Sequence, residues 1–527
     1  MNEAMLKLLK VLSLLHFLAP SKLARIGFAI HQNGINLMLL FALTDKTHKE
    51  KTALVDSRES ISYQELQKRS ENLAYVLEGK YGLGKNRRVA FLCKNHASLV
   101  QGIFAVSRLG ADVYLHNNSM SQLQFDRRVE EYNYDLLIYD HEFSGLINNS
   151  SYRNPKIASD YENNEAIRSW LDSPLCKNRK LKASSSGKIV LLTGGTTGKP
   201  KPVVHRPSLV NFLDPFAALL DRLRLSKYST AYIATPIYHG YGIAVLLAFF
   251  ALGKKVIIQD SFEAKQACAL VRYHQVEAIT VVPLMLHKMM THDQVALGSL
   301  RCIASGGAKL NPALVKEVND QLGNVLYNLY GTSEAGLNII AVPEDLNYHA
   351  NTIGKAIKGG RLRVTLEGKE VGQGNIGQLC IRNKWSMMNS PTRWIQTGDT
   401  GYQDANGYFF LCGRTDDLII SAGNNIYPLE IEAILTDHPS VKDAAVIGVE
   451  DHYSGQRLKA YVQLHSGKTL ANEELLGWLE TQLAKFQIPR EIVFVDGLPY
   501  TELGKLDRKQ VQVFTNHEDM AGSLTGM

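Results

Sequence analysis

From Ser60 onward, apolar positions alternate between a helical spacing of three to four and a strand-like spacing of two. The stretch ISYQELQKRSENLAYVLE predicts a helix opened by Ser62, with Glu65 three residues on to close a capping box. RVAFLC then reads as a strand, ASLVQGIFAVSRLG as a helix, ADVYL as a strand, and a further helix follows. This order builds mostly parallel sheets covered on both faces, so an α/β class is expected. The polar stretch from Asn148 to Lys188, ending in KASSSG, predicts a surface excursion that leads back into a buried strand, KIVLLT. Ile243 to Leu252 is continuously apolar but too short for a bilayer, which suits a buried helix or the wall of a binding tunnel. Beyond Arg414 come a helix after Pro428, strands at AAVIGV and KAYVQL, and a helix near Ala471. The change of texture falls at GRTDD, a charged segment suited to a hinge. Three parts are expected: an apolar helical extension at 1–50, a large domain of mixed and parallel sheets packed with helices at 51–415, and a small mobile α+β domain at 416–527.

The segment Met5 to Leu18 is rich in Leu, with Lys7, Lys10, Ser13 and His16 forming one narrow polar stripe. Its lysines interrupt the run of roughly 18 apolar residues that spanning requires, and no clear cleavage site precedes Pro20. A helix docked on the protein's own surface and an interfacial helix on a membrane both fit, and the apolar stretch Asn36 to Leu43 is placed to pair with it. With 45% hydrophobic and 21% charged residues, the composition excludes disordered and coiled-coil classes. The net charge of +7 is spread along the chain, so a dedicated nucleic-acid binder is not expected. The six cysteines form no C-x-x-C pair, which argues against a zinc cluster or disulfide framework and fits a reducing, cytoplasmic setting.

After KIVLLT the chain reads Thr193, Gly194, Gly195, Thr196, Thr197, Gly198, Lys199, Pro200, Lys201. Glycines let backbone N–H groups converge on phosphate oxygens, threonine hydroxyls add donors, and lysines neutralise charge, as a polyphosphate requires. The P-loop pattern is not met: three residues separate Gly194 from Gly198, and Pro200 follows Lys199.

The segment LLTGGTTGKPKPVVHR resembles the signature loop of the adenylate-forming superfamily: acyl-CoA synthetases, peptide-synthetase adenylation domains and firefly-type luciferases. IYHGYG, ASGGAKL, YNLYGTSEAG, the run from WIQTGD to GRTDDLIISAGNN, and PYTELGKLDRKQ resemble that family's later motifs, in order. The resemblance covers the chain from about Ser60 onward. It implies that ATP is held by Thr193, Gly194, Gly195, Thr196, Thr197, Gly198 and Lys201, that Glu334 and Thr196 serve Mg²⁺, and that Thr332 donates to the α-phosphate. Adenine is expected against Gly306, Gly307, Ala308 and the Tyr330 ring, with Asn328 at the base edge and Gly331 beside it. Asp399 and Arg414 are expected on the ribose. His239 and Gly306 are expected beside the acid, Asp416 at the hinge, and Gly423 where the arm of coenzyme A enters. Lys505 is expected to bridge the substrate carboxylate and the α-phosphate, its charge stabilising a transition state that joins two anions.

The implied activity is formation of an acyl adenylate with pyrophosphate release, then thioester formation with coenzyme A. A medium- or long-chain fatty acid suits the apolar 243–252 run, and contact with a membrane surface suits the amino-terminal segment. Two alternatives stay open: an acid- or amino-acid-adenylating enzyme loading a carrier protein, and a catalytically impaired homologue that binds nucleotide. The chain departs from the family at Pro202, where glycine is usual, and in a shortened 381–394 segment.

Overall fold

A computed structural model describes residues 20–43, 49–159, 166–171, 180–192, 203–205, 213–386, 393–421, 424–451, 455–501, 504–508 and 510–513. The glycine-rich loop with Pro202, Gly423, Cys176 and the Met5–Leu18 segment lie outside these residues.

Among the described residues the strands form three sheets. In a six-stranded sheet, Arg88–Leu92 lies between Leu136–Tyr139 and Asp112–His116, and Ile189–Leu192 follows on the far side, all in parallel. Residues alternate along these strands, so Val89 and Phe91 enter one core while Ala90 and Leu92 enter another. Both faces are therefore buried, as a parallel sheet requires. The strand Ile189–Leu192 runs directly toward the glycine-rich loop.

A fourteen-stranded sheet has a parallel half containing Thr230–Ile233, Ala278–Val281, Cys302–Gly306 and Leu326–Thr332. The chain then turns back into an antiparallel meander that includes Ile395–Gln403 and Phe409–Arg414. The two large sheets share one core, to which Phe91, Leu115 and Ile138 contribute from one side and Ile233, Val256 and Ile258 from the other. Between them lie the helices Ala97–Leu109 and Gly240–Ala251, joined through the Phe104 and Phe250 rings at 5.9 Å. The continuously apolar run is thus a buried helix, as its composition predicts.

The third sheet, in the order Asn424–Ile426, Ile419–Ser421, Gly455–Leu464, Val441–Asp451, with Glu491–Phe494 beside Gly455–Leu464, forms the smaller carboxy-terminal domain. The helices Pro428–Asp437 and Asn472–Gln482 cover one face. Arg508 ties the chain end to this unit by donating to both Glu432 carboxylate oxygens, at 2.8 and 3.0 Å, and to the Val446 carbonyl.

The helix Tyr63–Tyr81 begins with the expected capping box of Ser62 and Glu65. The expected surface excursion at 148–188 needs correction in its described parts. Lys156–Ala158 extends the six-stranded sheet, and Trp170, Leu171 and Leu181 are buried. Single large apolar residues there, separated by polar ones, bury themselves without forming a periodic run; Trp170 lies 6.4 Å from Tyr81 and under the Lys80 ammonium. The Asn36–Leu43 stretch also goes inward, with the Phe41 ring tilted against that of Phe104 at 5.0 Å. No helix among the described residues is long and apolar enough to cross a membrane.

Candidate active site

Consecutive parallel strands place their carboxyl ends side by side, so Gly306 and the Thr332 to Glu334 turn come to one edge of the large sheet. At Gly306 an added Cβ would sit 3.0 Å from the Leu329 carbonyl and 3.5 Å from the Tyr241 ring. Only glycine leaves this strand end open. Gly307 follows with φ +83°, a backbone that side chains disfavour. Tyr241, which the sequence did not single out, donates to the Ala304 carbonyl at 2.5 Å and pins the start of the Gly240–Ala251 helix to this strand.

Tyr330 donates to Asp399 Oδ2 at 2.7 Å, and Arg414 donates to Oδ1 at 3.1 Å. Asp399 and Arg414 are direct partners across neighbouring antiparallel strands. Each carboxylate oxygen keeps further acceptor capacity after these bonds, so vicinal hydroxyls can still be recognised. Burial pushes the Asp399 carboxyl up from its ordinary range, while the Tyr330 hydroxyl and the charges of Arg414 and Lys505 oppose the rise. Asn328, buried in its strand, directs its amide toward the Thr352 carbonyl at 3.4 Å. Thr332 accepts from the Ala335 N–H at 3.1 Å and shapes the turn that carries Glu334.

His239 occupies the N-cap position of the Gly240–Ala251 helix without a side-chain capping bond, and its Nε2 is buried without a hydrogen-bond partner. Burial first, and the Lys505 charge second, push its pKa down to about 4, so the ring is neutral near pH 7. The loop before it is held by Asn95, whose amide donates to the Thr235 carbonyl at 3.1 Å and accepts from the Ile237 N–H at 2.8 Å. Asn95 lies far away in sequence, and its only signal was a polar residue following a buried strand.

Lys505 comes from the other unit. It lies within electrostatic reach of Asp399, Arg414 and Glu334 and keeps solvent access. Surrounding protein lowers its pKa from the usual lysine value; Asp399 and Glu334 act against that shift, and Arg414 adds to it. The loop is seated by Gly504, where a Cβ would fall 2.8 Å from Leu284 Cβ and 3.3 Å from Val282 Cγ2. Lys309 reaches across to the Leu429 carbonyl at 3.4 Å. Asp416 sits exposed in the short Thr415–Asp417 turn that joins the two units.

A second cluster, Cys93, His96 and Asp140, is buried with its polar atoms within 4.8 Å of one another. His96 Nδ1 accepts from the Leu99 N–H at 3.1 Å, and Nε2 faces Asp140 at 2.8 Å. The first bond fixes the proton on Nε2, so neither nitrogen has a free lone pair for a metal. The group is a structural clamp.

Residues 41–389 match the AMP-binding enzyme family, and residues 430–505 match the AMP-binding enzyme C-terminal domain. The chain is 28% identical over 477 residues to the fatty acid–[acyl-carrier-protein] ligase ScoC of Streptomyces coeruleorubidus, covering 86% of this chain and 91% of that protein. It is 27% identical over 479 residues to the 2-succinylbenzoate–CoA ligase of Bacillus subtilis strain 168, covering 88% and 95%. Its fold is similar to that of o-succinylbenzoate CoA synthetase from Bacillus subtilis in complex with its acyl-adenylate intermediate, with a TM-score of 0.76, 25% identity, and 90% and 98% coverage. ATP-bound MatB from Rhodopseudomonas palustris superimposes with a TM-score of 0.78 at 24% identity, covering 90% of this chain and 98% of that one. With a large mixed-sheet domain, a smaller carboxy-terminal one, and both family regions matched in order, this chain belongs to the AMP-binding, adenylate-forming enzyme family.

Proposed function

We propose that the chain converts an apolar carboxylic acid, of the fatty-acid class, into its acyl adenylate and then into a thioester with coenzyme A. The observation that carries this reading is the seating of Lys505 beside Asp399, Glu334 and His239, with Gly504 packed against Leu284.

In the first step a carboxylate oxygen of the acid attacks the α-phosphorus of ATP, and the bond to pyrophosphate breaks. Lys505 places a positive charge where the two anions meet, which lowers the barrier by stabilising the charge that accumulates. His239 borders the acid, and its neutral ring adds no competing charge. Asp399, held by Tyr330 and Arg414, orients the ribose, and the backbone at Gly306 and Gly307 gives the flat base close approach. Glu334 offers one hard carboxylate oxygen, which fits a magnesium ion carried in on phosphates; when bound, that ion would neutralise phosphate charge. In the second step the carboxy-terminal unit turns at Asp416 to admit the thiol. The thiol loses its proton to solvent, its sulfur attacks the acyl carbon, and the acyl–phosphate bond breaks as AMP leaves. The helix Gly240–Ala251, which has no charged residue, supports an acid with an apolar tail.

A second reading, in which the thiol belongs to a carrier protein, is favoured by the similarity to ScoC. The test is acid-dependent pyrophosphate release across a panel of fatty, aryl and dicarboxylic acids, followed by coenzyme A or a phosphopantetheinylated carrier as acceptor. Saturable release with a fatty acid and thioester formation on coenzyme A are expected. Release with no acid in the panel would sink the proposal, and thioester formation on the carrier alone would select the second reading.

A further inference from the structure

The carboxy-terminal unit grips the Lys505 loop from within: Tyr500 bridges to Leu506 and donates to Asp443 Oδ2 at 2.5 Å, which ties Asp443 to both sides of the lysine. The large domain meets the same loop through the helix Pro283–Asp293, whose first turn presents Leu284 to Gly504. His287 follows Leu284 by three residues on the same face of that helix, and it lies within electrostatic reach of Asp443. Burial pushes the Asp443 carboxyl up from its ordinary range; the Tyr500 hydroxyl opposes the rise most, with further help from Lys442 on its own strand and from His287 across the joint. Lys309 makes a separate contact. It follows Gly306 by three residues and donates to the Leu429 carbonyl at 3.4 Å, in the first turn of the helix Pro428–Asp437. Glu432 and Asp437 on that helix attract it, and Arg508, already paired with Glu432, offsets part of the attraction.

At both contacts the large domain supplies the basic group and the carboxy-terminal unit the acids. Polar contacts of this partly exposed kind are individually weak, which suits a grip that is released between two chemical steps. We infer that Lys309 and His287 are positioning residues: a two-point clasp that holds the carboxy-terminal unit where Lys505 meets Asp399 and Glu334. Each acts through other groups. His287 works through Asp443 and Tyr500, and Lys309 through the helix Pro428–Asp437, whose Glu432 fastens Arg508 three residues beyond Lys505. Lys309 also stands beside the Gly306 and Gly307 turn, so one short segment serves both the base and the joint. The kinetic consequence of the clasp rests on the proposed ligase activity, whereas the clasp itself is testable without substrate.

The first test is hydrogen exchange of the full chain without substrate, read at the amides of Thr501, Gly504 and Asp507, which are bonded within the loop. In the double variant Lys309→Ala, His287→Ala these amides should exchange about tenfold faster. Those of Val446 and Ala460, in the core of the carboxy-terminal sheet, should not change. The second test assays the two half-reactions apart. Each single variant should slow adenylation about threefold and the double about tenfold, while preformed acyl adenylate reacts with the thiol at the parent rate or faster. Lys309→Arg and His287→Lys, which keep a cation at each point, should hold the parent rates. Parent-like exchange in the double variant, equal losses in both half-reactions, or charge-keeping variants as slow as the alanine ones would each overturn the clasp. A parent chain that forms no adenylate with any acid rejects the ligase reading instead, and the exchange result then decides the clasp on its own.

Discussion

Asp399 and Lys505 lie within electrostatic reach of one another, yet they are held there by different means. Asp399 belongs to the large sheet: its strand pairs on both sides, its two oxygens are bonded to Tyr330 and Arg414, and the core beneath it includes Ile395, Phe409 and Tyr330. Lys505 sits on a short loop closed by its own unit, through the Thr501 N–H to the Lys505 carbonyl and the Tyr500 to Leu506 bridge. Against the large domain it is seated by the Gly504 backbone on Leu284 and supported by Lys309 on the Leu429 carbonyl. The first arrangement is fixed by strand pairing on both sides and by two side-chain hydrogen bonds. The second rests on contacts between two units with separate cores, joined through Thr415–Asp417.

The contrast is broken most directly at the lysine. Lys505→Ala is expected to slow adenylation by about 10²- to 10³-fold, the usual size of losing one donor to a developing charge. Preformed acyl adenylate should still react with the thiol at close to the parent rate. Separate assays of the two half-reactions check this, and equal losses in both would remove the distinction. On the side of the large sheet, Asp399→Asn keeps the shape but weakens the acceptor shared by Tyr330 and Arg414. Both half-reactions should fall by about 10- to 100-fold, since disturbing a buried, hydrogen-bonded charge costs a few kcal/mol, and calorimetric ATP binding should weaken in parallel.

Gly504→Ala sharpens the comparison, because the new Cβ meets Leu284 while the rest of the carboxy-terminal unit is untouched. Adenylation should drop about tenfold, consistent with overpacking of 1–3 kcal/mol, and thioester formation should change little. Leu284→Gly in the same chain, which removes the Cβ that the new one meets, should recover part of the loss; an absent recovery would mean that backbone strain at φ +65°, not the contact, is responsible. The smallest effect concerns pH. Because surrounding protein lowers the Lys505 pKa, its charge is lost at a lower pH than for an ordinary lysine. The alkaline limb of adenylation should accordingly fall earlier than the usual lysine range, while the thiol step shows no limb from this residue.

Much of this was legible before any coordinates. The Ser62 and Glu65 cap is written within four residues, and the family resemblance of the segments around Asp399 and Lys505 implies that these two side chains come together. What the sequence hides is distance. Asn95 holds the loop before His239 from 142 positions away, because the two large sheets share a core that no local spacing encodes. Tyr241 stands in the IYHGYG motif without a role of its own in the sequence, and its hydroxyl gains meaning only once Cys302–Gly306 lies beside it. The 148–188 stretch was misread for a related reason: Trp170 and Leu181 are isolated in sequence and acquire neighbours only from distant helices.

Every position of the helix Ala97–Leu109 is buried, so it has no weathered side on which substitutions could drift. It acts as mortar between two walls: sliding one sheet past the other would require repacking the whole circumference at once. Mechanical freedom is thereby withdrawn from the body of the enzyme. Random amino-acid replacements along these thirteen residues should reduce yield and heat resistance far more often than they alter which step limits turnover.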